Sequence, residues 1–449
     1  MHRGLGTTGV SLWLLAVGLS LAAHAAGCND APEERLAPAP EPPAAPPPPA
    51  DPPLSIGEGQ ALSALTPQSV AGLRDIAGRV GGRSDDVFAK VGDSATVSRA
   101  FLECFGAGVP ALGAHGGLEP TIRFFQNGNA GGSDSFRRDS VAAAVGWSTR
   151  QILVGEPSPL LQEVRAINPR YAFVLSGGND VEGREPNRFA NRMLRVVDHL
   201  TRRGVIPILG SVLPRDDDPE ATRWVGRYNT ITRGIAEGRG LPFIDFHLAL
   251  SRLPRHGLAG DGVHPNVLVR ADGTHPCELS AEGLTHGHNT RNLLALQMLD
   301  RLRRILAAGE AAPDPPATPR PGAGTLTDPY VVTEVPFTDL RSTEGWPGDA
   351  IDRYPGCGGA QDESGPEVVY RFRLERRTRI RAWAYARPDA DVDLHLLGEQ
   401  PSGEACVERA DFEIERELGP GTWHLVVDTF APDGVAKVGE YLLVVERME

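Results

Sequence analysis

Short apolar runs recur through the first two thirds of the chain, and longer stretches with apolar positions at helical spacing separate them. Residues 86–91, Asp-Val-Phe-Ala-Lys-Val, predict a first strand; 171–175 predict a later one, 205–209 another and 241–245 the last. Between them Phe189, Met193, Val196, Val197 and Leu200 share one helical face. Tyr228, Ile231 and Ile235 repeat that spacing, with Gly238 and Gly240 as the expected stop. A final amphipathic helix is expected over 290–306, carrying Leu293, Leu296, Leu299 and Leu302. Strands alternating with helices indicate a parallel sheet covered by helices. The expected fold is therefore α/β, a doubly wound sheet whose chemistry gathers at the carboxyl ends of its strands.

Beyond about residue 325 the period changes to two. Tyr370, Phe372 and Leu374 oppose Arg371 and Arg373; Val392, Leu394 and Leu396 oppose Asp391, Asp393 and His395; Trp423, Leu425 and Val427 continue the pattern. This alternation predicts an all-β sandwich after the α/β unit. Two stretches dense in Pro and Ala punctuate the chain, one ending near Pro53 and the other holding Pro313, Pro315, Pro316, Pro319 and Pro321. Such composition favours extended, solvated backbone. The expected organisation is a leader over 1–28, a linker over 29–55, an α/β domain over 56–308, a second linker over 309–324 and the sandwich over 325–449.

Composition narrows the picture further. With 449 residues, 41% of them hydrophobic and 23% charged, the chain fits two folded units plus tethers. The formal charge of −13 arises from carboxylates spread along the sequence, and no long basic block is present to track a phosphate backbone, which excludes nucleic acid as an expected partner. His2 and Arg3 followed by the apolar run of Val10 to Ala23 form an export signal too short to read as a membrane span. Ala23-His24-Ala25 fits ordinary cleavage, whereas Ala25-Ala26-Gly27-Cys28 resembles a lipobox, with Ala25 where a larger aliphatic residue is usual. The expectation is an exported chain, at the cell surface or in the periplasm if Cys28 carries lipid and secreted otherwise, touching membrane only through that anchor. Cysteine parity fits this: in an oxidising compartment the other four pair, and the separation of the two domains assigns Cys104 to Cys277 and Cys357 to Cys406.

Three short motifs fall where the fold places chemistry. Gly92-Asp93-Ser94 follows the first strand, Gly177-Gly178-Asn179-Asp180 follows the second predicted one, and Asp261-Gly262-Val263-His264-Pro265 lies in the loop after the last. A hydroxyl nucleophile needs a base, and the base needs a partner that fixes its tautomer. Ser94, His264 and Asp261 supply those roles, and three residues of loop suffice for Asp261 to fold back on His264. The Asn179 amide, the Ser94 N–H and a glycine N–H would complete an oxyanion hole.

These residues resemble the SGNH (GDSL-like) hydrolases over about 86–306. Ser94 fits the Gly-Asp-Ser block, Asn179 the Gly-x-Asn-Asp block, and Asp261 with His264 the Asp-x-x-His block. Gly146, in the loosely matching Val145-Gly146-Trp147, is the candidate for the glycine block. The resemblance implies a flavodoxin-like three-layer fold and hydrolysis of carboxylic esters with no metal or organic cofactor, small esters or acylated polysaccharide being the expected substrates. A catalytically inactive binding or adhesion lipoprotein on the same fold is the alternative. A chance Gly-Asp-Ser arises in on the order of one chain in ten of this length, so the weight rests on three motifs in order. Ala95-Thr96 breaks the Gly-x-Ser-x-Gly elbow of the α/β-hydrolases. Neither His-Glu-x-x-His nor Cys-x-x-Cys is present to suggest zinc.

A rival base is present. Asp272-Gly273-Thr274-His275-Pro276 repeats the Asp-x-x-His-Pro pattern eleven residues on, nearer the final helix. The first copy is the expected base because Gly257-Leu258-Ala259-Gly260 brings it directly out of the segment following the last strand, at the sheet's carboxyl edge, and the second is expected in an excursion pinned by Cys277. In the terminal region, Ser364-Gly365-Pro366-Glu367 and Leu418-Gly419-Pro420-Gly421-Thr422-Trp423 resemble the bacterial pre-peptidase C-terminal domain, a jelly-roll-like module. Asp389, Asp391 and Asp393 are spaced as calcium ligands could be, yet like charges at period two read first as a solvated strand face.

Overall fold

A parallel four-stranded sheet forms the centre of the first two thirds of the chain: β1 (Ser84–Gly92), β2 (Pro169–Leu175), β3 (Ile206–Gly210) and β4 (Phe243–Ile244), paired in that spatial order. The structure is a computed structural model that describes residues 51–57 and 59–448; the leader, Cys28 and the proline run of 46–49 lie outside them. On the free edge of β1, Gly92 makes a parallel bridge to Ala143. Because 143 follows β1 in the chain yet lies on the opposite side of it from β2, the connection reverses beside β1. That reversal is the switch point of a doubly wound sheet, where a cleft opens at the carboxyl ends, and Ser94 is the second residue beyond β1.

The connecting helices are α1 (Pro67–Gly78), the single turn α2 (Ser94–Val97), α3 (Glu119–Asn127), α4 (Thr149–Leu153), α5 (Pro159–Ile167), α6 (Pro186–Thr201), α7 (Pro219–Arg239), α8 (Phe246–Ser251) and α9 (Gly287–Leu302). Proline opens α1, α5, α6 and α7, where its missing N–H costs nothing. The apolar stripe of α6 is fully buried, with Met193, Val196, Val197 and Leu200 all at 0% exposure. Under β1 and β2, Phe88 meets Phe125, Phe136 and Phe173 edge-on at 5.3–5.5 Å between ring centroids, the offset that aromatic quadrupoles favour.

Gly238 does not end its helix as the sequence suggested. α7 runs through it to Arg239 and closes at Gly240, which takes a left-handed φ of 62°. The physical reason lies in the next layer: a Cβ on Gly238 would stand 2.3 Å from Leu340 Cβ, so the glycine is a point of close approach.

That next layer is the sandwich. Its strands are β5 (Phe337–Ser342), β6 (Val368–Leu374), β7 (Thr378–Ala386), β8 (Val392–Leu397), β9 (Cys406–Ala410), β10 (Glu413–Leu418), β11 (Gly421–Thr429) and β12 (Glu440–Arg447). One antiparallel sheet runs β5–β12–β7–β10; the other runs β9–β8–β11–β6 and gains Tyr330–Val331 parallel to β6. Phe372, Leu394, Leu425, Leu443 and Val445 fill the space between them.

The two layers share one core. Trp383, Tyr385, Leu442 and Val444, on the outer face of the first sheet, are buried among the α/β side chains, each worth roughly 1.5–3 kcal/mol of apolar transfer. Bidentate Arg227–Glu413 and the contacts of Glu237 with Thr338 and of Thr230 with Glu446 fix the polar rim. The described residues of the segments read as linkers are also engaged. Leu65 N–H donates to Asp314 at 2.6 Å and Arg301 pairs with the same carboxylate. At the other stretch, Asp51 takes a double hydrogen bond from Arg371, and Ser55–Ile56 pairs with Glu334–Val335. Proline-rich backbone here packs as straps, because scattered carboxylates and carbonyls give it specific partners.

The alternation of β8 also departs from expectation. Asp393 and His395 lie at 3% and 0% exposure, because the segment preceding β6 folds over them. Tyr354 stacks on His395 at 3.5 Å, and the Cys357–Cys406 bond ties this flap to β9. Asp391 pairs with Lys437 and Asp393 with Arg409, so two of the three aspartates spaced like calcium ligands are engaged by separate cations.

Candidate active site

The chain leaves β1 through Gly92 and Asp93 and enters α2 at Ser94, so the nucleophile candidate sits at the first position of a helical turn. Asp93 caps that turn by accepting from Ala95 N–H at 3.1 Å. First-turn N–H groups have no intrahelical acceptor, which leaves the Ser94 N–H available to a ligand oxygen. The carboxyl of Asp93 is buried against the site wall. Burial raises its pKa to about 6 against the opposing pull of Arg291 and of the Ala95 N–H.

His264 reaches the same point from the loop after α8. Its Nε2 lies 2.9 Å from Ser94 Oγ and its Nδ1 lies 2.7 Å from Asp261 Oδ2. The other oxygen of Asp261 accepts from the N–H groups of Val263 and His264, both at 3.0 Å, so the carboxylate folds back on its own loop. Burial pushes the Asp261 pKa up, but the two N–H donors and the imidazole outweigh it and hold the value at about 2. The loop is anchored where Ala259 N–H meets His264 O and Asp216 N–H meets Gly262 O, each at 2.8 Å.

The remaining candidates lie on two neighbouring loops. Gly146 takes a φ of 76°, a turn that a side chain would strain. Asn179 donates through Nδ2 to Trp147 O at 2.9 Å, which joins its loop to that of Gly146 and leaves the second amide hydrogen free. The rival pair is elsewhere engaged: His275 Nε2 bonds Asp272 at 2.9 Å on a two-stranded excursion, Val269–Arg270 against Gly273–Thr274. That excursion is held to the body by the Cys104–Cys277 bond.

Several groups at the site escaped the sequence reading. Asp180 fastens the Gly146 loop through two bonds from Thr149. Arg215, clamped by Asp217 and Glu182, donates to Gly178 O at 3.1 Å. Arg291 lies at 1% exposure, donates to Ala95 O at 3.1 Å and sits over the rings of Phe101 and Phe246. Burial lowers its pKa to about 10, with Asp93 resisting. A readable signal for it existed: Arg291 occupies the face of α9 that also carries Leu294, Ala295 and Met298, where a lone cation breaks an apolar stripe. Ser94, Asn179 and His264 line a cavity of about 60 Å³ whose other walls include Leu175, Val212 and Phe246.

With this geometry in view, comparison with known proteins adds the following. Residues 91–268 match the model of the GDSL-like Lipase/Acylhydrolase family. No curated protein matches the chain. Among solved structures, a GDSL-like lipase from Bacteroides thetaiotaomicron is 15% identical, with 52% of this chain and 98% of that one covered and a TM-score of 0.32. An acetylxylan esterase from Geobacillus stearothermophilus, a catalytic mutant, is 16% identical, with 49% and 95% covered and a TM-score of 0.31. The pre-peptidase C-terminal domain of a collagenase from Bacillus anthracis is 16% identical, with 29% and 100% covered and a TM-score of 0.18. Residues 91–268 are thus recognised as a GDSL-like lipase/acylhydrolase domain, a family of hydrolases.

Proposed function

We propose that the protein is an exported serine esterase that removes small acyl groups, acetyl foremost, from bulky alcohols such as polysaccharide hydroxyls. The observation that carries this is the continuous relay from Asp261 through His264 to the Ser94 hydroxyl, at 2.7 and 2.9 Å. In the reaction Ser94 Oγ attacks the ester carbonyl carbon while its proton passes to His264 Nε2, and Asp261 stabilises the resulting imidazolium through Nδ1–H. The carbonyl oxygen becomes an oxyanion received by the N–H groups of Ser94 and Gly146 and by Asn179 Nδ2. Collapse expels the alcohol, which takes the proton from His264. Water then repeats the sequence on the acyl-enzyme and releases the acid.

Substrate class is proposed from the size and exposure of the cleft. The cavity that Ser94, Asn179 and His264 line measures about 60 Å³, room for only a few atoms when one water needs roughly 10–15 Å³ on that measure. The His264 and Asp261 side chains are 43% and 50% exposed, which suits a large leaving alcohol that stays outside it. Export and lipidation at Cys28 are proposed from the leader, and two disulfides are in keeping with an oxidising compartment. A fluorophosphonate probe tests the core of the reading. Wild-type chain should be labelled at Ser94 and should hydrolyse p-nitrophenyl acetate faster than the octanoate ester; absence of labelling would remove the proposal.

A further inference from the structure

The outer face of α6 carries a cationic row. Arg188, Arg192, Arg195, His199 and Arg202 follow one another at steps of four, three, four and three, opposite the buried Phe189, Met193 and Val197. At 1.5 Å per residue this row is about 21 Å long. It forms one wall of a groove of about 780 Å³ whose other wall is the loop 387–389 after β7. Such a row is unexpected on a chain with a formal charge of −13.

Its charge is cancelled only in part. Asp198 and Glu440 are each shared by Arg387 and Arg239, a neutral foursome. Arg188 is held by Glu185, and Arg192 stands 3.8 Å from Asp180. Asp389 is the remaining acid on the groove wall. Arg195 and Arg202 have no carboxylate within ion-pair distance among the described residues. His199 registers the resulting field: burial, then Arg203, Arg195 and Arg202, hold its pKa below the usual histidine range, against Asp198. Asn191 braces the two walls, its Nδ2 donating to Asn187 O and to Ala386 O at 3.1 Å each.

We infer that this groove binds an acidic polysaccharide, with Arg195 and Arg202 receiving carboxylates of the polymer. A row of cations along a groove, with Arg195 and Arg202 unpaired among the described residues, matches a chain that carries carboxylates at regular intervals. No phenylalanine, tyrosine or tryptophan lines the groove to stack a base. None of the large exposed apolar side chains lies in it to enter a bilayer. The inference rests on the esterase reading only for its consequence, that the bound polymer is also the acylated substrate.

Binding of the full-length chain is measured by affinity electrophoresis against polygalacturonate and against its fully methyl-esterified, neutral form. The expected result is retardation by polygalacturonate alone, weakened about tenfold in the Arg195→Ala/Arg202→Ala double variant and weakened by salt once the Debye length falls to about 3 Å near 1 M. Hydrolysis of p-nitrophenyl acetate should be the same in both proteins, which shows that the variant is folded. Equal retardation of wild type and variant, equal retardation by the neutral polymer, or stronger binding to polyuridylate or to phosphatidylglycerol vesicles would each overturn the inference. A wild-type chain that binds polygalacturonate but hydrolyses no ester would retain the groove and remove the esterase reading.

Discussion

Thr149 donates to Asp180 twice, from its backbone N–H at 2.9 Å and from its hydroxyl at 2.5 Å, and so fastens the loop of Gly146 to the loop of Asn179. Burial raises the Asp180 pKa, while these two donors and then Arg192 resist it. Oxyanion donors work only when held in place beforehand. Asp180→Ala is therefore expected to lower kcat for p-nitrophenyl acetate by about ten- to a hundredfold with little change in KM, and Asp180→Asn, which keeps one acceptor for Thr149, to recover part of that loss. An unchanged kcat in Asp180→Ala would show that the two loops hold their places unaided.

The assignment of the base is tested by histidine exchange. His264 lies within hydrogen-bond reach of both Ser94 and Asp261, whereas His275 bonds Asp272 on the excursion. Ser94→Ala and His264→Ala should each remove several orders of magnitude of turnover, and His275→Ala should retain most of it. Asn179→Ala should lose roughly a hundredfold or more, the usual size for one oxyanion donor. A dead His275→Ala beside an active His264→Ala would transfer the role to the excursion.

What the sequence made legible and what it hid follow from range. The strands at 171–175 and 205–209 were readable because a buried parallel strand is a continuous apolar run, and α6 because five apolar residues keep its period. The Ser94, Asn179 and His264 motifs were readable because each packs its chemistry into a few adjacent residues, the first two straight after a strand. Arg291 was marked only as a cation within an apolar stripe, and the Thr149–Asp180 pair was hidden because its meaning lies in a contact between segments 31 residues apart. Gly238 was misread because a helix stop and a point of close packing call for the same residue, and only the sandwich lying against Leu340 distinguishes them. Asp393 and His395 looked solvated because alternation reports one covered face and is blind to a flap over the other.

The two disulfides should differ in worth. Cys104–Cys277 closes 173 residues and Cys357–Cys406 closes 49. Constraint of the unfolded chain grows with the logarithm of loop length, so losing the longer link should cost about 1 kcal/mol more than losing the shorter, each being worth a few kcal/mol. Urea unfolding of the Cys104→Ala/Cys277→Ala and Cys357→Ala/Cys406→Ala variants measures this. The reverse order would mean that the flap over His395 depends on its bond more than the excursion of His275 does.

Asp93 supplies a pH signature. Its folded pKa of about 6 exceeds the ordinary 3.8 because burial penalises the carboxylate more than Arg291 and the Ala95 N–H favour it. A carboxyl whose folded pKa is raised binds its proton more tightly in the folded state. Its contribution to stability is thus fully present below pH 3.8 and is lost as pH rises through about 6. Over that window the wild-type chain should lose on the order of 3 kcal/mol that an amide at this position, having no proton to release, would not lose. Urea unfolding of wild type and Asp93→Asn at the two ends of the window should therefore show the variant gaining on wild type as pH rises. A gap that stays constant would mean that Arg291 fully compensates the buried charge, so that Asp93 and Arg291 stand as a settled ion pair beneath Ser94; a gap that opens means the capping carboxyl there exchanges its proton near neutrality.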